Sequence, residues 1–168
     1  MANAALKPQA PQLTVHTGIS GDDRLKVAER LGVVLADSYQ LFIKTQGVHW
    51  NVAGPMFYSI HNLTEAHYEN LFKAVDELAE RIRSLGSKAP ASYTKYGELS
   101  AIEDHDEPAT AAEMVETLAK DHETVCRSLR VAVEFCDSKD DFVTADMLTA
   151  RLAWHEEAIW MLRASLAE

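Results

Sequence analysis

From Leu25 to Trp50, apolar residues return every three or four positions, the spacing that gathers side chains on one face of a helix. Ser20, three residues ahead of Asp23, resembles a capping box, so helical order is expected from near Gly21. The stretch Asn51-Val52-Ala53-Gly54-Pro55 interrupts the pattern, and its proline suits the first turn of a second helix. That helix is expected from about Met56 to Leu85, closed by Gly86 with Pro90 beyond. Ser87 to Pro108 form a long connection with room for a short helix near Tyr96 to Ile102. Thr110-Ala111-Ala112-Glu113 caps a third helix reaching about Cys136, and Asp137 to Asp141 turn the chain into a fourth, ending near Leu166. There is no strand alternation, hairpin signal or internal repeat.

Residues 1–20 hold two prolines, scattered polar residues and no helical period, so they read as a flexible N-terminal arm preceding one domain over residues 21–168. Four helices of about 25 residues with a long link between the second and third describe an all-α, ferritin-like four-helix bundle, the link being the crossover from one helix pair to the other. The 168-residue length suits one domain. With 47% hydrophobic and 25% charged residues, disorder and membrane classes fit poorly. The formal charge of −10 repels phosphate backbones on average and attracts metal cations. Cys126 and Cys136, ten residues apart in one expected helix, lie roughly 15 Å apart along its axis, too far to bridge. No basic start followed by a long apolar run marks a leader or a span, which makes a cytoplasmic location the expectation.

The second helix carries His61, Glu65, Asp76 and Glu80, and the first ends in His49-Trp50. Histidines and carboxylates are metal-ligand types, and His61 with Glu65, like Asp76 with Glu80, share a helix face. The two halves cannot meet in one chain, because fifteen residues span about 22 Å of helix. Two antiparallel copies of the helix, crossed midway by a two-fold axis, would set His61 of one subunit beside the acids of the other and create two equivalent sites. Carboxylates along a long helix are usually its solvated face. Here, however, the core stripe is already supplied by Ile60, Thr64, Leu71, Leu78 and Leu85, while the neighbouring stripe mixes the ligand types with Phe72. His67, His122 and His155 are read as hydrogen-bonded packing histidines.

The run His49-Trp50-Asn51, then Gly54, Phe57, His61, Asp76 and Ala79-Glu80-Arg81, resembles the signature of the Dps family, mini-ferritins named for DNA binding in starved cells. The resemblance extends through Thr144 to Leu148 and Trp160 to Leu162, covering about residues 22 to 166. It implies a homo-oligomeric shell of twelve subunits that oxidises Fe(II) at inter-subunit sites and stores a ferric mineral inside. His49, His61, Asp76 and Glu80 are the implied catalytic residues and metal ligands. Glu65 stands where many relatives carry Asp as a further ligand, and Trp50 where the family places an aromatic neighbour. Asp137 and Asp146 match acids of the family's three-fold pores; Phe142 stands where some relatives have another acid, with Asp141 beside it as the expected substitute.

His and carboxylate ligands with vacant positions suit Fe(II), and two ferrous ions can together reduce one hydrogen peroxide to water without releasing a hydroxyl radical. Hydrogen peroxide is the oxidant that the resemblance implies; zinc would also accept such ligands. A di-iron site inside one bundle needs Glu-x-x-His pairs, and no histidine here is preceded by an acid at that spacing. A DNA-compacting shell with secondary iron chemistry is the alternative. It needs basic tails, whereas residues 1–20 offer only Lys7 and His16, so DNA binding is expected to be weak. A non-catalytic helical scaffold is the third reading, in which the acid and histidine stripe only tunes packing.

Overall fold

Ser20 opens the first helix by accepting a hydrogen bond from the Asp23 amide at 3.1 Å, which satisfies one of the donors that a helix start leaves unpaired. Only half of the expected capping box forms. The Asp23 carboxylate accepts from the Ser20 hydroxyl at 2.7 Å, its shorter side chain engaging the hydroxyl where a glutamate would reach back to the backbone amide. Thr110 and Glu113 make the complete box, each side chain accepting from the other's backbone N–H.

The computed structural model describes residues 15–103 and 110–167. Five helices follow one another: α1 over Gly21–Asn51, α2 over Phe57–Ser84, α3 over Tyr93–Leu99, α4 over Ala111–Asp137 and α5 over Phe142–Ala164. α1 packs on α2, α4 on α5, and α1 on α4, with α3 lying against α1. This is the ferritin-like four-helix bundle, its long crossover running from α2 to α4. The described residues contain no strand. Most of the expected N-terminal arm, Lys7 included, and the end of the crossover lie outside the described residues. None of the described helices is long and apolar enough to cross a membrane.

The core stripe expected on α2 is buried: Ile60, Thr64, Leu71, Leu78 and Leu85 are at most 2% exposed. Leu31, Leu35 and Leu41 of α1, Ile60, Leu71, Leu78 and Ile82 of α2, Leu118 and Leu129 of α4, and Leu148 and Leu162 of α5 are essentially inaccessible. Each contributes about 1.5–3 kcal/mol of burial before the entropy of ordering is charged against it. α2 ends as expected, with Gly86 at φ +92, a left-handed position that suits glycine.

The crossover helix begins three residues before its expected start. Ser92 caps it by accepting from the Lys95 amide at 3.2 Å, and the chain turns extended at Ser100. There the buried Asp37 of α1 accepts from the Ser100 hydroxyl at 2.9 Å and the Ala101 amide at 2.6 Å. Those bonds pin the crossover to α1 and leave α3 no room to run on to Ile102.

Asp141 is not the pore acid expected from its position. It is 2% exposed, caps α5 by accepting from the Thr144 amide, and pairs with Arg81 at 2.7 Å. Arg81 also donates to Thr144 at 2.7 Å, so the motif around Glu80 is tied to the start of α5. The turn that presents Asp141 needs Asp140 at φ +57, a left-handed backbone that aspartate tolerates. Phe142, by contrast, is 62% exposed.

Candidate metal centre

The break between α1 and α2 brings the end of one helix against the start of the other. Val48 and Val52 are buried, the Val52 amide bonds the Val48 carbonyl at 2.9 Å, and Gly54 at φ +93 lets the chain reverse. His49 in the last turn of α1 and His61 near the start of α2 therefore face each other. Their rings stack with centroids 3.8 Å apart and planes within 17°.

Each ring is held by the other residue's backbone. His49 Nδ1 lies 2.9 Å from the His61 carbonyl oxygen, and His61 Nδ1 lies 2.9 Å from the His49 carbonyl oxygen. A carbonyl only accepts, so both Nδ1 atoms carry a proton, and in the neutral ring it is Nε2 that holds the lone pair. Fixing the tautomer through Nδ1 is how proteins prepare a histidine to ligate through Nε2. Phe57 stacks on the outer side of His61 at 5.0 Å, and Tyr68 meets His49 edge-on at 5.1 Å. Glu65 lies one turn beyond His61 and is exposed. The Tyr68 pKa is raised, first by desolvation and then by the charges of Glu65 and Glu69.

Asp76 and Glu80 are exposed on the same unbroken helix as His61, which keeps them about 22 Å and about 28 Å away along its axis. The structure thus unites His49 with His61 and leaves the two acids apart. Among the described residues of a single chain, no three His, Cys, Asp or Glu side chains converge as a metal site. The face that carries both halves is also unusually apolar for solvent: Trp50 is 68% exposed, Phe57 43%, Tyr58 77% and Phe72 64%.

Three further histidines sit inside the bundle. His67, His122 and His155 are 2%, 0% and 1% exposed, with His67 and His122 ring centroids 5.7 Å apart and His122 and His155 5.0 Å apart. The expectation of hydrogen-bonded packing holds for the second pair, whose Nδ1 atoms are 2.9 Å apart. For His67 it does not: neither ring nitrogen has a hydrogen-bond partner among the described residues, and the ring rests edge-on against Trp154. Burial lowers the His67 pKa to about 4 and those of His122 and His155 well below the usual value, with Arg151 adding repulsion for the latter two. Sequence reading missed Tyr68 and Asp37, and it quoted Arg81 without its partners Asp141 and Thr144. Tyr68 was accessible to it, since it lies two helical turns from His61 on the same face, whereas Arg81 and Asp37 find their partners about sixty positions away.

The profile of the ferritin-like domain matches residues 28–168. The chain is 41% identical over 153 residues to an uncharacterised low temperature-induced protein of Nostoc, an alignment covering 89% of this chain and 85% of the relative. It is 37% identical over 141 residues to DNA protection during starvation protein 2 of Bacillus anthracis, covering 84% and 97%. The crystal structure of a Dps protein from Vibrio cholerae, described as a member of a broad superfamily of ferritin-like diiron-carboxylate proteins, superposes with a TM-score of 0.87 at 26% identity, covering 96% of this chain and 99% of that one.

Proposed function

This chain belongs to the Dps family of ferritin-like proteins, and from that premise we propose that it is a ferroxidase that stores iron and consumes peroxide. The observation that carries the reading is the reciprocal fixing of His49 and His61, which turns two neutral imidazoles into a prepared pair of Nε2 donors. Ferrous iron is the substrate. Two neutral nitrogens from one subunit and the carboxylates of Asp76 and Glu80 from a two-fold partner make a mixed nitrogen and oxygen set suited to Fe(II), with Glu65 available to a second ion. The exposed Trp50, Phe57, Tyr58 and Phe72 are the surface that such a partner would cover.

In this reading the chain's own groups bind and orient the metal, and the partner's helix excludes bulk water from it. Pairing two ferrous ions lets one hydrogen peroxide take both electrons and end as water. The product is hydrolysed Fe(III), which gathers inside a closed shell, for which we adopt the family's twelve subunits and a cytoplasmic setting. DNA compaction ranks second. The name of the Bacillus anthracis relative favours it, while the net charge of −10 opposes it. A gel shift at low salt that survives deletion of residues 1–20 would raise it to first.

The direct test adds Fe(II) and hydrogen peroxide to the purified protein and follows protein and ferric absorbance together by size-exclusion chromatography. Co-elution in one large particle is expected. Iron that precipitates apart from a small protein species would end the storage reading.

A further inference from the structure

The rings around His49 continue well beyond the stacked histidine pair. Tyr68 stands edge-on to His49 at 5.1 Å, and Phe42 of α1 lies 6.4 Å from Tyr68 and 6.0 Å from Tyr39. Tyr39 then stacks on Tyr96 of α3, centroids 4.7 Å apart and planes within 23°, and meets Tyr93 edge-on at 6.3 Å. Tyr68, Phe42, Tyr39 and Tyr96 are buried or half-buried, and the series ends in Tyr93, 75% exposed.

We infer that Tyr68, Tyr39 and the Tyr93 and Tyr96 pair carry single oxidising equivalents from the metal centre to the surface, where they are quenched harmlessly. The inference rests on the reading of His49 and His61 as an iron site. The need arises when one ferrous ion meets peroxide alone: it gives up one electron, and the products are ferric iron, hydroxide and a hydroxyl radical. Tyr68 is the phenol nearest His49 in this series, and transfer of its hydroxyl hydrogen atom to that radical yields water and a phenoxyl radical. Tyr39 then gives an electron and a proton to restore Tyr68, and Tyr93 or Tyr96 restores Tyr39. A soluble one-electron reductant of the ascorbate class finally returns an electron, and solvent a proton, to the exposed Tyr93.

Phe42 is too hard to oxidise to hold the radical. Its ring instead fills the space between two phenols, so the step across it passes through packed atoms. Packing alone would explain an aromatic cluster between α1 and α3, since offset and edge-on rings are favourable in themselves. Packing does not require that cluster to continue through Tyr68 to a ligand histidine, nor to end on an open phenol.

The test uses the assembled full-length protein, loaded with Fe(II) and given limiting hydrogen peroxide in the presence of a nitrone spin trap. Iron oxidation is followed by ferric absorbance, the radical by freeze-quench electron paramagnetic resonance with ring-deuterated tyrosine, and its position by mass spectrometry of trap adducts. The parent is expected to show a tyrosyl signal and adducts on Tyr93 or Tyr96. Tyr39→Phe, which keeps the ring and its packing, is expected to lose those adducts, retain the radical at Tyr68, and oxidise iron at the parent rate. Adducts on Tyr93 that are equal in parent and variant, or normal iron oxidation without any tyrosyl signal, would overturn the relay and leave the metal centre standing. A parent protein that oxidises iron no faster than buffer would overturn the metal centre, and the relay with it.

Discussion

Two groups of histidines occupy the same helical bundle and are prepared for opposite ends. His49 and His61 spend their Nδ1 protons on each other's backbone carbonyls and keep Nε2 for something outside. His67, His122 and His155 turn inward, against Trp154 and near the cation of Arg151, and among the described residues no carboxylate is hydrogen-bonded to any of them. A divalent ion in that second group would add charge to a buried site that already holds a neighbouring cation, a cost that three neutral rings do not offset. Residue type alone therefore does not identify a ligand; the partner of the other ring nitrogen and the charges nearby do.

The largest expected effect separates the two groups by activity. His49→Ala with His61→Ala should slow peroxide-driven iron oxidation by more than about 100-fold, since even changes behind the ligands commonly cost 10- to 100-fold. His67→Leu should leave the rate within about twofold, because it touches only the interior. Stopped-flow absorbance of ferric iron on protein that still elutes as the parent assembly decides between them. Equal losses from both substitutions would dissolve the distinction.

The next effect works in the other direction, on stability. Burial lowers the folded-state pKa of His67 from 6.5 to about 4 and also lowers those of His122 and His155 well below 6.5. Below pH 6.5 the unfolded chain therefore binds protons that the folded bundle refuses, so the stability fully present above that pH is lost as the pH falls toward and through the folded values. Burial of His67 should cost about 2 kcal/mol on going from pH 7.5 to pH 5. Thermal melts at the two pH values, run on the parent and on His67→Leu, should show the variant losing less on acidification by about one histidine's share. Identical pH responses would mean that His67 is not the buried titrating group described above.

Much of this was legible in the sequence because it is local. Helical period, the Thr110 cap, the Gly54-Pro55 break and the spacing of His49, His61, Asp76 and Glu80 all lie within short stretches, where one turn fixes the next. Asp141 was misread for the opposite reason. An acid in a turn looks like an exposed charge until Arg81, sixty residues away, is seen beside it. Asp37 likewise needs Ser100, and the tautomers of His49 and His61 need two backbones to meet. The fact that His61 and the acids are on one helix was readable; the proposal that their complement comes from a second subunit calls for a direct test.

That test has the smallest expected signal and the sharpest logic. Chains carrying His49→Ala and His61→Ala lack one half of every centre, and chains carrying Asp76→Asn and Glu80→Gln lack the other half. Each made alone should be nearly inactive, wherever the halves meet. Co-expressed, they pair at random, so about half of the two-fold pairs are mixed, and a mixed pair has one doubly damaged centre and one intact centre. Activity per subunit should then recover to about a quarter of the parent rate, measured on assemblies isolated through tags on both chain types. A centre built within one chain would give no recovery at any mixing ratio, because every chain would still carry its own lesion. Recovery near a quarter would place Asp76 and Glu80 across a subunit boundary from the His49 and His61 pair, as the roughly 22 Å of helix between His61 and Asp76 demands.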